Sequence, residues 1–564
     1  MSSSIKSIGA VALAFATVLT AHAFVPQGQS PTPQNPVTRE PVGAPVVAGG
    51  SAGGRGGGRG NPMAAIYTER CAGCHGAGVE GGRAPSLFDA TWKYGGDDES
   101  IRKTIHDGIT GTEMVGFASS LSDQQIWQLV GYLRTQGETL KGKPTYVPDP
   151  DGQVIKSEKQ TFKIEVIARN IETPWGLAFL PDGRLLITER PGRLRILEKG
   201  KLLPDAVKGT PKVWEKQDGG LLDVEVHPQY AKNGWIYLSY SETVPGYVAP
   251  PAPTAPTAPA APTPPAATGT GAPPSPDAAR GAAAGAFPQG GGRGRGGPPD
   301  PPSMTVIVRG KINKNNEWTD EQVLFRAKPD IYSPTNAHYG SRFIFDKQNH
   351  LFYTLGEKND PSNAQNLSSP LGKIHRVNDD GSVPTDNPFA GKENVVPTIW
   401  SYGHRNPQGL AWDPVSGKLW ESEHGPQGGD EINVIEPGHN YGWGVITMGT
   451  DRRVTEQTHE GMEQPIVYYT PTIAPSGMVF YTGSRYPGWK NDLFISALGG
   501  QQLRRLEISG DKVTHQEQVF NQFGRVHDVI IGPDGYLYVT LQLPGQVLSA
   551  STPGMIARLI PVTQ

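Results

Sequence analysis

The stretch "PDGRLLIT", residues 181–188, starts with turn chemistry, continues in alternating apolar positions and ends on a hydroxyl. Proline fixes φ, aspartate bonds its own backbone and glycine accepts positive φ, so the opening is a turn. The alternation after it marks a strand, and the phrase reads as half of a β-hairpin. It recurs as "KNGWIYLS" (232), "KQNHLFYT" (347), "VSGKLWES" (415), "WKNDLFIS" (489) and "PDGYLYVT" (533). Six copies, roughly 45–75 residues apart once a low-complexity stretch is set aside, predict sheets repeated around an axis: a six-bladed β-propeller over 161–562. A two-sheet sandwich needs fewer residues and has no self-similarity.

That low-complexity stretch, 245–303, holds "APPAPTAPTAPAAPTPPAATGTGAPPSP" and "GGGRGRGGPP". It cannot bury a core, and it is expected to be a disordered insert within one blade, between "WIYLSYS" and "MTVIVRG". Residues 24–62 have the same character, and 141–160 are read as a linker. The RGG-like pieces suggest RNA binding in isolation, but a net charge of −3 over 564 residues gives no nucleic-acid surface. The first 23 residues, with Lys6, an apolar run from Ile8 to Leu19 and Ala21-His22-Ala23, read as a cleaved signal peptide. The run is short for a membrane span. An exported protein, periplasmic or secreted, is expected, without stable membrane insertion.

The block at 63–140 contains both cysteines of the chain, in "CAGCH" at 71–75. Cys71 and Cys74 could form a redox disulfide, hold a metal or attach a c-type haem. The first needs a thioredoxin-like strand–helix setting, and zinc needs two further ligands nearby. Haem attachment uses the adjacent histidine: two thioethers fix the porphyrin and His75 ligates the iron. A sixth ligand is expected downstream, and "GTEMVGF" offers Met114, thirty-nine residues after His75. "PMAAIYTERCAGCH" reads as a helix entering the motif. "SDQQIWQLVGYLRT" reads as a second helix, capped by Ser122 and apolar at Ile126, Leu129, Val130 and Leu133. With "APSL" at 84–87 after the attachment site, the block resembles class I cytochrome c, a small all-α domain.

Polar clusters in propeller loops are the candidate site: "SPTNAHYGSRF" with His338, "SYGHRNPQGLAWDP" with His404, Arg405 and Asn406, and "ESEHGPQGGDEINVIEPGHNYGW". Together with "PWGLAFLPDGRLLITERPGRLRIL", "GGLLDVEVHP" and "PTIAPSGMVFYTG", these stretches resemble the pyrroloquinoline-quinone (PQQ)-dependent soluble aldose and glucose dehydrogenases, the glucose/sorbosone dehydrogenase family. The resemblance runs across nearly all of 161–562 outside the insert, and it implies a six-bladed propeller, PQQ and Ca2+. By the same resemblance His338 is the general base, and Arg405 and Asn406 face the quinone oxygens. Gly425 and Pro426 offer carbonyls to the PQQ calcium, Gln217 touches cofactor or sugar, and Glu431 and Tyr441 hold a structural calcium.

Four positions depart from that pattern. Gly499, in "ALGGQQL", stands where the family has a lysine at the cofactor. "GRVHDV" keeps Arg525 but places His527 at a second arginine. Ala337 replaces an aspartate before the base, and Thr470 an aromatic over the ring. The function expected is a quinohaemoprotein oxidoreductase that turns an aldose into its lactone and passes electrons to its own haem c and then to a periplasmic acceptor. A haem-c/haem-d1 nitrite reductase would need eight blades, and a metal-dependent lactonase leaves the haem without purpose. From another class, a degenerate propeller could dock a partner and position the cytochrome.

Overall fold

The computed structural model describes residues 62–76, 94–110, 112–140, 149–247, 300–470, 472–543 and 553–562, with Val79, Ala84 and Leu87. The expected signal peptide, the linker before residue 62 and nearly all of the insert lie outside these residues. Among the described residues, no helix is long and apolar enough to cross a membrane.

Six antiparallel sheets follow one another. Each copy of the repeat forms the second strand of one sheet: Leu185–Glu189, Ile236–Thr243, Leu351–Leu355, Leu419–Glu423, Leu493–Ala497 and Leu537–Gln542. The expected six-bladed propeller is the fold. Blades are numbered one to six in that order. Apolar residues fill each gap between neighbours, as with Leu186, Leu238 and Val306 between blades one and two. Phe352, Leu410 and Leu419 fill the gap between blades three and four. A second strand therefore has neighbours on both faces and is buried along its length.

The hydroxyl that ends each repeat has a structural explanation. All six are fully buried. Four donate across a gap to the next blade: Thr188 to the Leu222 carbonyl (2.5 Å), Ser239 to Ser341 (2.9 Å), Thr354 to Pro407 (2.8 Å) and Ser422 to Ser476 (3.0 Å). A buried hydroxyl needs a partner, and here the partner joins blades.

The ring closes in blade six. Its C-terminal strand Pro553–Pro561 pairs with Thr161–Glu172 from Phe162↔Pro561 to Glu172↔Pro553, with register shifts between Val166 and Ala168 and between Arg169 and Ile171. Val154–Lys156 adds a further strand beside Thr161. The stretch expected as linker to residue 160 is thus already part of the sheet at its end, because an exposed strand edge recruits whatever chain lies next to it. In blade two, Ile236–Thr243 and Ser303–Ile312 pair directly, so the 245–303 segment departs and returns between adjacent strands, and Ser303 belongs to the sheet.

At the centre, Arg342 of blade three touches four other blades. Its guanidinium donates to Asp223 and Asp528 (both 3.1 Å), to the Gln408 carbonyl (2.8 Å) and to the His527 carbonyl (3.3 Å). It also lies 4.4 Å over the ring of Trp175.

The N-terminal helices are α1 (Pro62–Arg70), α2 (Ala72–His75), α3 (Asp98–Asp107) and α4 (Asp123–Leu140). α1 ends one residue before Cys71, and the motif itself makes the short α2. Ser122 and Gln125 exchange side-chain and backbone hydrogen bonds at the start of α4, a capping box. Ile126, Leu129, Val130 and Leu133 are buried, as their spacing predicts.

Candidate active site

His338 lies between blades two and three with φ +55°, a strained backbone for a residue with a side chain, and its side chain is fully buried. Neighbouring loops hold it there. Its N–H faces Asp218 Oδ2 at 3.4 Å, and the next glycine's N–H donates to Asn406 Oδ1 at 3.1 Å. A Cβ on Gly356 would stand 2.3 Å from the His338 carbonyl oxygen, so only glycine lets that strand end approach. Nδ1 of His338 lies 2.8 Å from Glu357 Oε2. A carboxylate only accepts, so Nδ1 carries hydrogen and Nε2 is the proton-accepting position of the neutral ring.

Burial opposes charge on His338, but Glu357 and a second carboxylate, Glu113, outweigh both burial and Arg405, and its pKa rises above the usual imidazole value. Burial also opposes ionisation of Glu357; His338 and Arg405 overcome it and hold that carboxyl below its usual range. The indole N–H of Trp443 donates to Glu357 as well, at 3.2 Å.

Arg405 and the Gly425 loop meet directly. The Arg405 N–H donates to Glu423 (2.5 Å), and Nη1 donates to the carbonyls of His424 (3.1 Å) and Gly425 (2.7 Å). Asp430 fixes this loop, accepting from the N–H of Gly425 (2.9 Å), the Thr472 hydroxyl (2.6 Å) and the N–H groups of Ile473 (2.6 Å) and Ala474 (2.7 Å). Asn406 Nδ2 lies 3.2 Å from His424 Nδ1. The Glu357 N–H donates to the Arg405 carbonyl (2.9 Å). His338, Glu357, Arg405, Asn406 and Gly425 thus form one connected set, and Pro426 follows in the same loop. Gln217, at φ +55°, precedes the Asp218 that faces His338.

Arg525 and His527 belong to blade six, and Arg342 ties the His527 carbonyl to the centre. His527 Nε2 pairs with Gln542 Oε1 at 2.8 Å, and its Nδ1 has no hydrogen-bond partner among the described residues. Burial, then Arg525 and other arginines nearby, pushes its pKa well below the usual imidazole value. His527 is therefore neutral and does not stand in for an arginine's charge. Gly499 cannot accept a lysine without backbone movement, because its Cβ would lie 2.9 Å from Ile473 main-chain atoms. Thr470 Oγ1 accepts from the Gly429 N–H at 3.0 Å, and Ala337 is buried.

Glu431 accepts from Asn433 Nδ2 at 3.4 Å. The Tyr441 hydroxyl donates to the Val434 carbonyl (2.7 Å) and accepts from the Glu436 N–H (2.8 Å), while its ring stacks on His404. Burial and then Glu423 raise the Glu431 pKa well above the carboxylate range. A metal-capable group among the described residues is His404, Glu421 and Glu423, with ligand atoms within 4.8 Å of one another.

In the helical part, Cys71 and Cys74 are not joined in a disulfide. Burial, then Cys74, pushes the Cys71 thiol up to about 12, the reverse of what a redox-active thiol requires. Cys71 and Met114 pack against one apolar cluster built on Tyr67, Ile126 and Leu129. The Ile109 N–H donates to the Met114 carbonyl at 2.7 Å and fixes its loop. One thiol and the thioether on an apolar cluster, with Cys74 and His75 in the adjoining α2, fit a c-type haem. Carbonyl oxygens in the Gly425 loop fit calcium, and Arg405 beside them fits an anionic quinone.

The sequence reading missed Glu357, Glu113, Asp218 and Lys358. Glu357 lies three residues beyond the threonine of the third repeat, a position visible as a strand end but not as a partner for His338. Lys358 is fully buried, 3.3 Å over the Tyr339 ring, and burial holds its pKa well below the usual value.

Residues 171–549 match the glucose/sorbosone dehydrogenase family, and residues 58–133 match cytochrome c oxidase, cbb3-type, subunit III. The aldose sugar dehydrogenase YliI of Escherichia coli K12 is 37% identical over 401 residues, 69% of this chain and 93% of that protein. The quinoprotein glucose dehydrogenase B of Acinetobacter calcoaceticus is 26% identical over 71% of this chain and 90% of its own length. The crystal structure of the soluble aldose sugar dehydrogenase of E. coli in its apo form superposes with a TM-score of 0.57 and 34% identity, over 71% of this chain and all of that one. The chain therefore belongs to the glucose/sorbosone dehydrogenase family and carries a cbb3-type cytochrome c domain ahead of its propeller.

Proposed function

We propose that the protein is a periplasmic quinohaemoprotein that oxidises an aldose at C1 to the lactone and delivers the electrons to its own haem c, and from there to a periplasmic acceptor. The observation that carries this reading is the His338–Glu357 pair, linked through Arg405 to the Gly425 loop, in one chain with CAGCH and Met114. PQQ with its calcium, when bound, supplies the hydride acceptor, and the haem supplies the one-electron carrier.

The chain's own residues do the rest. His338 takes the anomeric hydroxyl proton at Nε2, and Glu357 holds Nδ1–H so that Nε2 faces the substrate. Arg405 sets positive charge beside the Gly425 carbonyl, where Gly425 and Pro426 would hold the calcium. Gln217, Asn406, Arg525 and His527 are assigned to the cofactor through the family resemblance. Cys71 and Cys74 would carry the haem thioethers, with His75 and Met114 on the iron. Glu431 and Tyr441 are assigned to a structural calcium through the family resemblance.

The test is aldose added to full-length protein loaded with haem, PQQ and calcium. Haem reduction is expected at a rate independent of protein concentration. If no aldose reduces either the haem or an artificial dye, the enzyme reading fails and the docking-module reading replaces it.

Glu357→Gln gives a finer check. The base must be neutral to accept a proton, so the rate rises with pH through the His338 pKa. Removing the carboxylate lowers that pKa, so the rising limb moves to lower pH, while the plateau falls about tenfold with the charged hydrogen bond. A limb that stays in place shows that Glu357 does not control His338.

A further inference from the structure

The described residues fall in one compact unit, and within it the haem-motif helix touches the propeller mouth. α2 packs against the Gly499–Gln501 turn. The fit at Gly73 is close: a Cβ there would lie 2.3 Å from Thr472 Cγ2 and 3.3 Å from the Thr472 carbonyl oxygen. Thr472 is one of the groups held by Asp430, on the segment that also fixes the Gly425 loop. From the Met114 loop, Glu113 Oε1 reaches to 3.5 Å from Nε2 of His338. The imidazole is fully covered, and the Glu113 side chain is 21% exposed.

We propose that the propeller mouth is a docking site for the chain's own haem-binding face, and that Glu113 makes docking compete with sugar by occupying the Nε2 side of His338. The inference rests on the function proposed above. Glu357 already takes Nδ1, so a substrate hydroxyl can hand its proton only to Nε2. A hydroxyl within hydrogen-bond reach and a carboxylate 3.5 Å away need the same space. Sugar must therefore lift the Met114 loop, and electron transfer follows when the loop returns. The small residue at one departure serves this contact. Gly499 gives α2 a turn without a side chain to rest on. Glu113 lies next to Met114, so the residue that senses the occupied site is directly coupled in sequence to the expected haem ligand.

The experiment uses full-length holoprotein and two independent variants, Glu113→Ala and Gly73→Leu. The first removes the carboxylate, and the second presses α2 away from Thr472 without altering a haem ligand. With an artificial dye as acceptor, KM for the aldose is expected to fall about tenfold in each, the worth of one charged contact. Without sugar, amide hydrogen exchange across residues 112–116 is expected to quicken in both variants, and in the wild type it should quicken on adding the lactone product. An unchanged KM overturns the competition whatever the exchange shows. A higher KM in Glu113→Ala means that Glu113 holds the sugar, which also overturns it. If no form of the protein oxidises an aldose, the function reading fails, while the sugar-free exchange still decides whether the contact exists.

Discussion

Replacing His338 by alanine is expected to slow aldose-driven haem reduction by about 10²–10⁴-fold, the contribution of a positioned general base. The imidazole is fully buried and hydrogen-bonded to Glu357, and Asp218, Asn406 and Gly356 hold its loop in a strained turn. So much support for one ring makes sense if the ring must present Nε2 in a fixed place. Alanine keeps the same positive-φ backbone and removes the ring nitrogen that accepts the proton. The haem spectrum should not change, because no haem ligand is touched. Stopped-flow mixing of the loaded protein with aldose measures the rate, and a loss of less than about tenfold would remove His338 from the role of base.

Arg342→Leu is expected to lower the unfolding free energy by about 3–5 kcal/mol, because it leaves two buried carboxylates without their cation. Asp223 and Asp528 each lie 3.1 Å from this guanidinium, and the pKa of Asp223 is already raised to about 7 by burial, with Arg342 holding it down. Asp528 is raised in the same direction, burial first. A carboxyl whose folded pKa exceeds its unfolded value destabilises the fold once pH passes the unfolded pKa, and increasingly up to the folded one. Removing Arg342 raises the folded values further. The loss should therefore be smallest in acid, where both forms hold protonated carboxyls, and should grow with pH, most steeply above about 7. Denaturant titrations across that range measure it. A loss that does not vary with pH would make Arg342 a packing residue over Trp175 rather than the ionic centre of the ring.

The sequence by itself determined what depends on near neighbours. Turn residues followed by alternation made six hairpins countable, since a hairpin is decided by residues within one short window. The spacing of CAGCH, and the Ser122–Gln125 cap ahead of an apolar stripe, are local in the same sense. The tertiary structure decided what depends on residues far apart in the chain. Thr161–Glu172 closes the ring on Pro553–Pro561 because two open strand edges meet there. The Thr and Ser that end the repeats looked like strand punctuation and are inter-blade hydrogen bonds. His527 looked like a weaker cation, but burial first, and then Arg525 and other arginines, suppress its charge, and both arise only in the folded ring. Glu357 and Glu113 carry no motif. They reach His338 from 19 residues downstream and from another domain, and the fold alone brings a carboxylate to each side of one imidazole.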